Sequence, residues 1–253
     1  MAKVTRTVAV ANQKGGVAKT TTVASLGAAL AELSQRVLLV DLDPQGCLTF
    51  SLGIDPEDLD VTVADVLLGA QGADEAIVVV DEGMHLLPAN IALAETEQKL
   101  LTRTGREQRL RVALDKVAGD YDWILIDCPP TLGVLTVGAL TAATGVLIPL
   151  HAETLAHRGV GQLLDTVHDV RRSINPSLEV MGVLPTMYDG RTTHGRAVLA
   201  GIRDTYELRV LEPAIPRSVR FAEAPAVGRS MLGTSSHHKG AEAYRRVAAA
   251  LLG

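Results

Sequence analysis

Lys14 and Lys19 flank a pair of glycines within the segment 12–21, NQKGGVAKTT. This segment directly follows the apolar run Val8–Ala11 and opens a stretch with helical character. In such a turn the backbone N–H groups converge on an anion, and the N-terminus of the helix adds a favourable dipole. We therefore expect a phosphate site in which Lys19 reaches the β- and γ-phosphates of a nucleotide and the Thr20 hydroxyl ligates Mg²⁺.

The residues of this loop expected to contact the nucleotide are Lys14, Gly15, Gly16, Val17, Ala18, Lys19, Thr20 and Thr21. The usual pattern G-x-x-x-x-G-K-[ST] has glycine where this chain has Gln13 and Ala18. A left-handed backbone at Ala18 would cost roughly 1–2 kcal/mol and weaken nucleotide binding about tenfold. If Ala18 is instead the first helical residue, alanine would be harmless, and the otherwise intact motif favours this second hypothesis.

Carboxylates follow two further apolar runs that are predicted to be buried strands. Asp41 and Asp43 come after Val37–Val40, and Asp127 comes after Trp123–Ile126. In a parallel sheet the carboxyl ends of strands face the ligand crevice, so these side chains are expected beside the phosphates. The alternative is that the first two aspartates only cap the next turn. The predicted metal-site residues are Thr20, Asp43 and Asp127.

The elements that must position these residues alternate along the chain. The predicted strands are Val8–Ala11, Val37–Val40, Trp123–Ile126, Val146–Leu150 and Val180–Leu184, and the predicted helices include Thr20–Leu33, Arg106–Ala118 and Val160–Ser173. Strands that are apolar on both faces indicate an α/β fold with a mostly parallel, twisted sheet and helices on both faces. We expect one domain over residues 1–253, with Pro56–Ala76 as an excursion from the sheet.

Composition excludes several classes of protein. The chain of 253 residues is 47% hydrophobic and only 3% aromatic, so its core must consist mainly of aliphatic residues. A net charge of −5 argues against a surface uniformly basic for nucleic acid, although a local basic patch remains open. Cys47 and Cys128 lie far apart and lack the spacing of metal ligands, so we expect a reduced cytoplasmic protein. We also see no secretory leader and no apolar run long enough to span a membrane.

Three motifs together resemble one family. K-G-G-x-x-K-T-T, D-x-D-P-Q after the second strand and D-x-P-P after the third are similar to the ParA/Soj branch of the deviant Walker A ATPases, and Asn12-Gln13 differs from the Ser-Gly of MinD-like members. The resemblance implies a P-loop NTPase fold, ATP and Mg²⁺ as ligands, and an ATP-dependent homodimer. It also implies that Lys14 crosses the dimer interface and that Asp43 positions the attacking water. The implied catalytic residues are Lys14, Lys19 and Asp43.

The same resemblance extends to the second half of the chain. It implies that Thr186, Met187, Pro216 and Ser218 contact the base and that Arg191 and Arg220 contact DNA without sequence specificity. Without the resemblance these arginines would be solvated surface residues. It further implies a nucleoid-associated protein whose hydrolysis a ParB-like partner stimulates.

Two other functions stay open at this stage. A MinD-like ATPase would bind membrane through an amphipathic C-terminal helix, but we expect Ala241–Leu252 to pack on the domain instead. A slow, nucleotide-gated scaffold is suggested by Ala18 and by Cys47-Leu48-Thr49, where the family has Asn-Ala-Thr. We also expect Cys128 to be a packing residue and His237-His238 to lie in an exposed loop.

Overall fold

Seven strands form one sheet in the computed structural model of the protein, which describes residues 4–153 and 156–253. The strands are β1 Arg6–Val10, β2 Val37–Asp41, β3 Val78–Val80, β4 Met84–Leu87, β5 Trp123–Asp127, β6 Gly145–His151 and β7 Glu179–Thr186. Their order across the sheet is β3-β4-β2-β5-β1-β6-β7. All neighbours are parallel except β3 and β4, so the carboxyl ends of β1, β2, β5, β6 and β7 lie along one edge.

Twelve helices occur among the described residues. They are α1 Lys19–Glu32, α2 Cys47–Ser51, α3 Val63–Leu68, α4 Ala73–Ala76, α5 Ala92–Leu101, α6 Arg109–Asp115, α7 Val134–Ala142, α8 Ala156–Ser173, α9 Thr193–Tyr206, α10 Arg220–Glu223, α11 Met231–Thr234 and α12 Lys239–Leu252. Short 3₁₀ turns lie at Pro56–Asp58, Asp81–Gly83, Arg106–Gln108, Ala118–Asp120 and Ala224–Val227.

The two faces of the sheet carry separate hydrophobic cores. Because successive strand residues point to opposite faces, Val8 and Val10 belong to one core and Ala9 and Ala11 to the other. Helices α1, α11 and α12 cover the first face, and α3 with α5–α9 cover the second. The predicted α/β architecture with helices on both faces is therefore confirmed.

The five predicted strands are confirmed with small shifts of their ends, but β3 and β4 were not predicted. The predicted helix Arg106–Ala118 is wrong as a single element, because a 3₁₀ turn precedes α6 and α6 ends at Asp115. The segment Pro56–Ala76 contains a 3₁₀ turn and two short helices and lies outside the sheet, as predicted. A single domain over the whole chain stays a prediction.

The last helix packs on the helix that follows the glycine-rich loop. The apolar face of α12 is buried, and Tyr244 at its centre forms a buried hydrogen bond of 3.0 Å to the Thr22 hydroxyl of α1. Phe221 meets the Tyr244 ring edge-on with centroids 6.0 Å apart. The expected packing role of this helix is confirmed. Every helix in the described part of the chain is too short or too polar to span a bilayer.

Candidate nucleotide-binding site

The glycine-rich loop is fixed to the sheet at its first residue. Asn12 is buried, its side-chain amide donates to the Pro149 carbonyl of β6 at 2.8 Å, and its side-chain oxygen accepts from the Lys14 backbone N–H at 2.9 Å. At the far side of the loop the buried Thr186 hydroxyl donates to the Val17 carbonyl at 3.0 Å. The loop is thus held from β6 and β7 in the position that an anion site before α1 requires.

Ala18 corrects one expectation from the sequence. It is not the first helical residue: α1 begins at Lys19, and Ala18 has φ 65° and ψ 37°, in the left-handed region. A Cβ in this conformation clashes with the backbone at a cost of roughly 1–2 kcal/mol, which explains why glycine is usual at this place in the motif. The loop therefore carries backbone strain that a glycine would not have.

Replacing Ala18 with glycine is expected to raise the free energy of unfolding by up to about 1 kcal/mol, because strain relief is partly offset by a more flexible unfolded chain. ATP affinity should change less than about threefold, and not the tenfold expected from the sequence for a left-handed backbone, since the strained conformation is present before the nucleotide binds. Urea unfolding and an ATP titration measure the two quantities. Ala31→Gly in α1 is the matched control and should lose about 1 kcal/mol. A destabilised Ala18→Gly, or a tenfold gain in affinity, would contradict this account.

Lys19 and Asp127 face each other beneath the loop, and both are buried. The Lys19 ammonium donates to the Lys14 carbonyl at 3.4 Å, and burial lowers its pKa although Asp127 opposes the shift. Burial and then the neighbouring Asp41 raise the pKa of Asp127, while the adjacent Thr20 hydroxyl lowers it. Neither carboxylate oxygen of Asp127 makes a hydrogen bond that satisfies normal geometry to any described residue.

Asp41 organises the segment that carries Asp43. The buried Asp41 carboxylate accepts from the Thr49 backbone N–H at 2.9 Å, the Thr49 hydroxyl at 2.8 Å and the Asp43 N–H at 3.2 Å. Burial raises the pKa of Asp41 to about 6, against these hydrogen bonds. Asp43 itself is half-buried and accepts from the Gln45 N–H at 3.0 Å, so its side chain is held at the mouth of the site.

The four residues expected to contact the base line one cavity of about 440 Å³. The wall comprises Gly16, Ala18, Thr21, Thr186, Met187, Ile215, Pro216, Arg217, Ser218, Val219, Phe221, Ala222 and Tyr244. The cavity is continuous with the glycine-rich loop and mostly apolar, as a site for a planar base requires. The hydroxyl of Thr186 is already bonded to the loop, so this residue shapes the cavity more than it offers a free donor.

Lys14 lies on the open side of the loop. Its ammonium forms an ion pair with Glu153, two residues beyond the end of β6. The side chains of both residues remain partly exposed, at 39% and 49%. Lys19 therefore lies below the loop while Lys14 lies at the surface, so the two lysines face different surroundings.

One family model and several known proteins are similar to most of this chain. A family model described as an AAA domain matches residues 5–180. The sporulation initiation inhibitor protein Soj of Bacillus subtilis is 44% identical over 238 residues, 94% of each chain. The chromosome partitioning protein ParA of Caulobacter vibrioides is 44% identical over 246 residues, 96% of this chain and 92% of that one.

This chain belongs to the ParA/Soj family of P-loop ATPases. The resemblance inferred from the motifs is therefore confirmed. A solved structure is also similar: cobyrinic acid a,c-diamide synthase from Mycobacterium smegmatis, with a bound ATP analogue and magnesium, is 59% identical with a TM-score of 0.89. The match covers 98% of this chain and 95% of that one.

The two arginines that the ParA/Soj resemblance assigns to DNA are exposed, but each has an acidic partner. Arg191 forms a two-pronged contact with Asp189 at 2.9 and 2.8 Å, and Arg220 pairs with Glu223 at 2.8 Å. Their side chains are 91% and 58% exposed. The assignment to DNA stays a prediction, and it requires that phosphate replaces these carboxylates.

Two smaller expectations for this ParA/Soj-family chain have opposite outcomes. Cys128 is fully buried and burial raises the pKa of its thiol, so the packing role is confirmed. The expectation of an exposed loop is wrong for His238, whose ring accepts from the Gly240 N–H at 2.9 Å and caps α12. A half-buried histidine before a helix is a capping residue here, because its ring nitrogen satisfies an otherwise unpaired backbone donor.

Sequence reasoning missed Thr49, Glu153 and Tyr244, which bond or line the site. Thr49 follows the D-x-D-P-Q motif closely, so its capping of Asp41 is a local signal that could have been recognised. Glu153 and Tyr244 reach the loop and α1 from 139 and 222 residues away. Only the fold brings them there.

Proposed function

We propose that this chain is an ATP-dependent DNA-segregation ATPase that dimerises on ATP, binds DNA without sequence preference in that state, and leaves it after hydrolysis. The observation that carries the proposal is the convergence of Lys19 and Asp127 beneath one glycine-rich loop, with Asp43 at the mouth of the site and Lys14 at the open side. Membership of the ParA/Soj family supports the same conclusion. The related Mycobacterium smegmatis structure, with its ATP analogue and magnesium, makes ATP and Mg²⁺ the ligands we propose.

The residues present fit a magnesium ion. Asp127 offers two buried carboxylate oxygens that make no hydrogen bond of normal geometry to any described residue, next to the Thr20 hydroxyl. No group of three or more His, Cys, Asp or Glu side chains suited to a metal occurs in the described ranges. This agrees with Mg²⁺, which takes one or two protein oxygens and completes its shell with phosphates and water. Thr20 and Asp127 would hold it, with Asp43 beside its water shell.

Hydrolysis then follows from charge placement. Bound Mg²⁺ would neutralise charge on the transferred phosphoryl group. Lys19 binds the β- and γ-phosphates from below the loop, and Asp43 orients the attacking water from the mouth of the site. Lys14 of a second copy closes the open side and excludes bulk water. Because Lys14 must come from another subunit, we propose that turnover is slow in the monomer and is stimulated by a ParB-like partner.

DNA binding is the part of the proposal that one experiment can test directly. Retardation of a random DNA duplex should require ATP and should weaken steeply with salt. Arg191→Ala and Arg220→Ala should each reduce the salt slope by about 2 for a symmetric dimer, one phosphate contact in each copy. Arg111→Ala on α6, an exposed arginine away from the loops after β7, is the control and should leave the slope unchanged. An unchanged slope for both loop variants would contradict the assignment.

Amide synthesis is a second candidate, because the name of the Mycobacterium smegmatis protein states that activity. Glutamine-dependent amidation needs an activated nucleophile such as a cysteine of lowered pKa. In this chain burial raises the pKa of both thiols, Cys47 and Cys128. We therefore favour the partitioning ATPase. Mass spectrometry of cobyrinic acid incubated with the protein, ATP and either glutamine or ammonia would reveal the alternative.

Membrane positioning is the third candidate. The apolar face of α12 is buried against α1 through Tyr244, Val247 and Leu251, so this face would have to leave the core before it could enter a bilayer. Co-sedimentation of the protein with anionic liposomes in the presence of ATP should therefore stay at background, whereas the same protein should still bind DNA in the retardation assay.

A further inference from the structure

The Glu153 carboxylate, which pairs with Lys14, has a partner for each of its two oxygens although it lies at the surface. One oxygen, Oε2, pairs with the Lys14 ammonium, and the other, Oε1, pairs with Nδ1 of His151 at 3.0 Å. Lys14 and then His151 hold the pKa of Glu153 below its ordinary value, with Arg217 contributing from further away. Both oxygens of the carboxylate are therefore occupied, and the group is negatively charged when it meets Lys14.

Both ends of this ion pair are anchored in neighbouring strands. Lys14 follows β1, and Asn12 bonds its backbone N–H while also bonding Pro149 of β6. Glu153 follows β6, and its own N–H donates to the His151 carbonyl at 2.8 Å. Since β1 and β6 are hydrogen-bonded neighbours, the fold itself places the carboxylate within reach of the lysine.

We propose that Glu153 retains Lys14 within its own subunit, so that ATP-driven dimerisation must exchange this carboxylate for the phosphates bound to the second copy. The inference rests on the proposed function, in which Lys14 acts across the interface. Glu153 is then a positioning residue that opposes dimerisation and sets a threshold for it. The negative charge of a bound γ-phosphate exceeds that of a single carboxylate, so ATP favours the exchange more than ADP does.

The expected effect follows from the exposure of the pair. A partly exposed ion pair of this kind shifts an equilibrium by about two- to fivefold. A symmetric dimer releases two such pairs, so removing the carboxylate should tighten dimerisation by roughly fourfold to twenty-five-fold. The substitution Glu153→Gln keeps the shape of the side chain and removes its charge.

Sedimentation velocity with a non-hydrolysable ATP analogue gives the dimer dissociation constant of wild type and Glu153→Gln. Glu95→Gln removes the same charge from an exposed i,i+4 pair with Lys99 on α5 and is the matched control, with no expected change. The decisive comparison is in a Lys14→Gln background, where Glu153→Gln should have no effect. Amine labelling of Lys14 without nucleotide, read by peptide mass spectrometry, should rise about two- to fivefold in Glu153→Gln.

The possible outcomes distinguish a failure of this inference from a failure of the proposed function on which it rests. If wild type dimerises and Glu153→Gln leaves the dissociation constant unchanged or raises it, the inference is overturned and the proposed function stands. An equal gain in the Lys14→Gln background also overturns it, since the effect would then not pass through Lys14. If the wild type stays monomeric with the analogue, both the proposed function and the exchange of Glu153 for phosphate are overturned. If the labelling of Lys14 is unaltered in Glu153→Gln, only the proposal that Glu153 retains Lys14 is overturned.

Discussion

Asp43→Ala should lower ATP turnover by about 100-fold or more while leaving ATP binding nearly intact, because the variant loses the group that orients water but keeps the phosphate contacts. Asp43 is half-buried at the mouth of the site, and within the described residues its carboxylate accepts a hydrogen bond only from the Gln45 N–H, so its removal disturbs little of the fold. Without hydrolysis the ATP-bound dimer returns to the monomer only through its own dissociation or the release of intact ATP, so it persists longer than the wild-type dimer. The variant should therefore accumulate as a dimer.

Gel filtration with light scattering after addition of ATP and Mg²⁺ measures this accumulation. Wild type should return to monomer as ATP is consumed, whereas Asp43→Ala should remain dimeric for hours. Asp58→Ala, an exposed aspartate in the turn Pro56–Asp58, is the control and should behave as wild type. Normal phosphate release from Asp43→Ala would show that water is positioned by another residue.

The parts of the site that lie within one motif were predictable, because their chemistry is local. Lys19 and Thr20 come directly after a glycine-rich turn, and that order of residue types defines a phosphate site wherever it follows a strand. Asp43 and Asp127 were predictable for a related reason. The strands before them are apolar on both faces, which indicates parallel neighbours whose carboxyl ends share one edge.

The conformation of Ala18 was not predictable from its type. Alanine favours helix, and only the path of the chain between Gly16 and Lys19 forces φ to 65°. Tertiary geometry overrides local preference at this residue, and the strain is tolerated because Asn12 and Thr186 fix the loop on both sides.

The strands β3 and β4 were missed for a different physical reason. They are short, with three and four residues, and the strand order places β3 at the sheet edge, where the side chain of Val79 is exposed. The edge strand β3 buries too little surface to impose a clear pattern on the sequence, and the buried strand β4 is too short to show one. The pair Lys14–Glu153 is beyond any sequence pattern, because its partners are 139 residues apart and meet only when β1 and β6 align.

Lys14→Gln should lower the maximal rate of hydrolysis by about 10³-fold, because a cationic group supplied across an interface to the γ-phosphate has an effect of this size. ATP should still bind, since Lys19 and the loop backbone are unchanged. Loss of activity alone does not show which copy receives the lysine. A mixture of two inactive variants shows which copy receives the lysine.

Mixing Lys14→Gln with Asp43→Ala before ATP is added forms dimers in which one of the two sites is complete. The site of the Lys14→Gln copy keeps its own Asp43 and receives Lys14 from the Asp43→Ala copy. Random assortment of equal amounts gives half mixed dimers, so about one quarter of the wild-type rate should return. If Lys14 acted on the nucleotide of its own subunit, neither site of a mixed dimer would be complete and no activity would return. Recovery therefore requires that each copy supplies a lysine to the other.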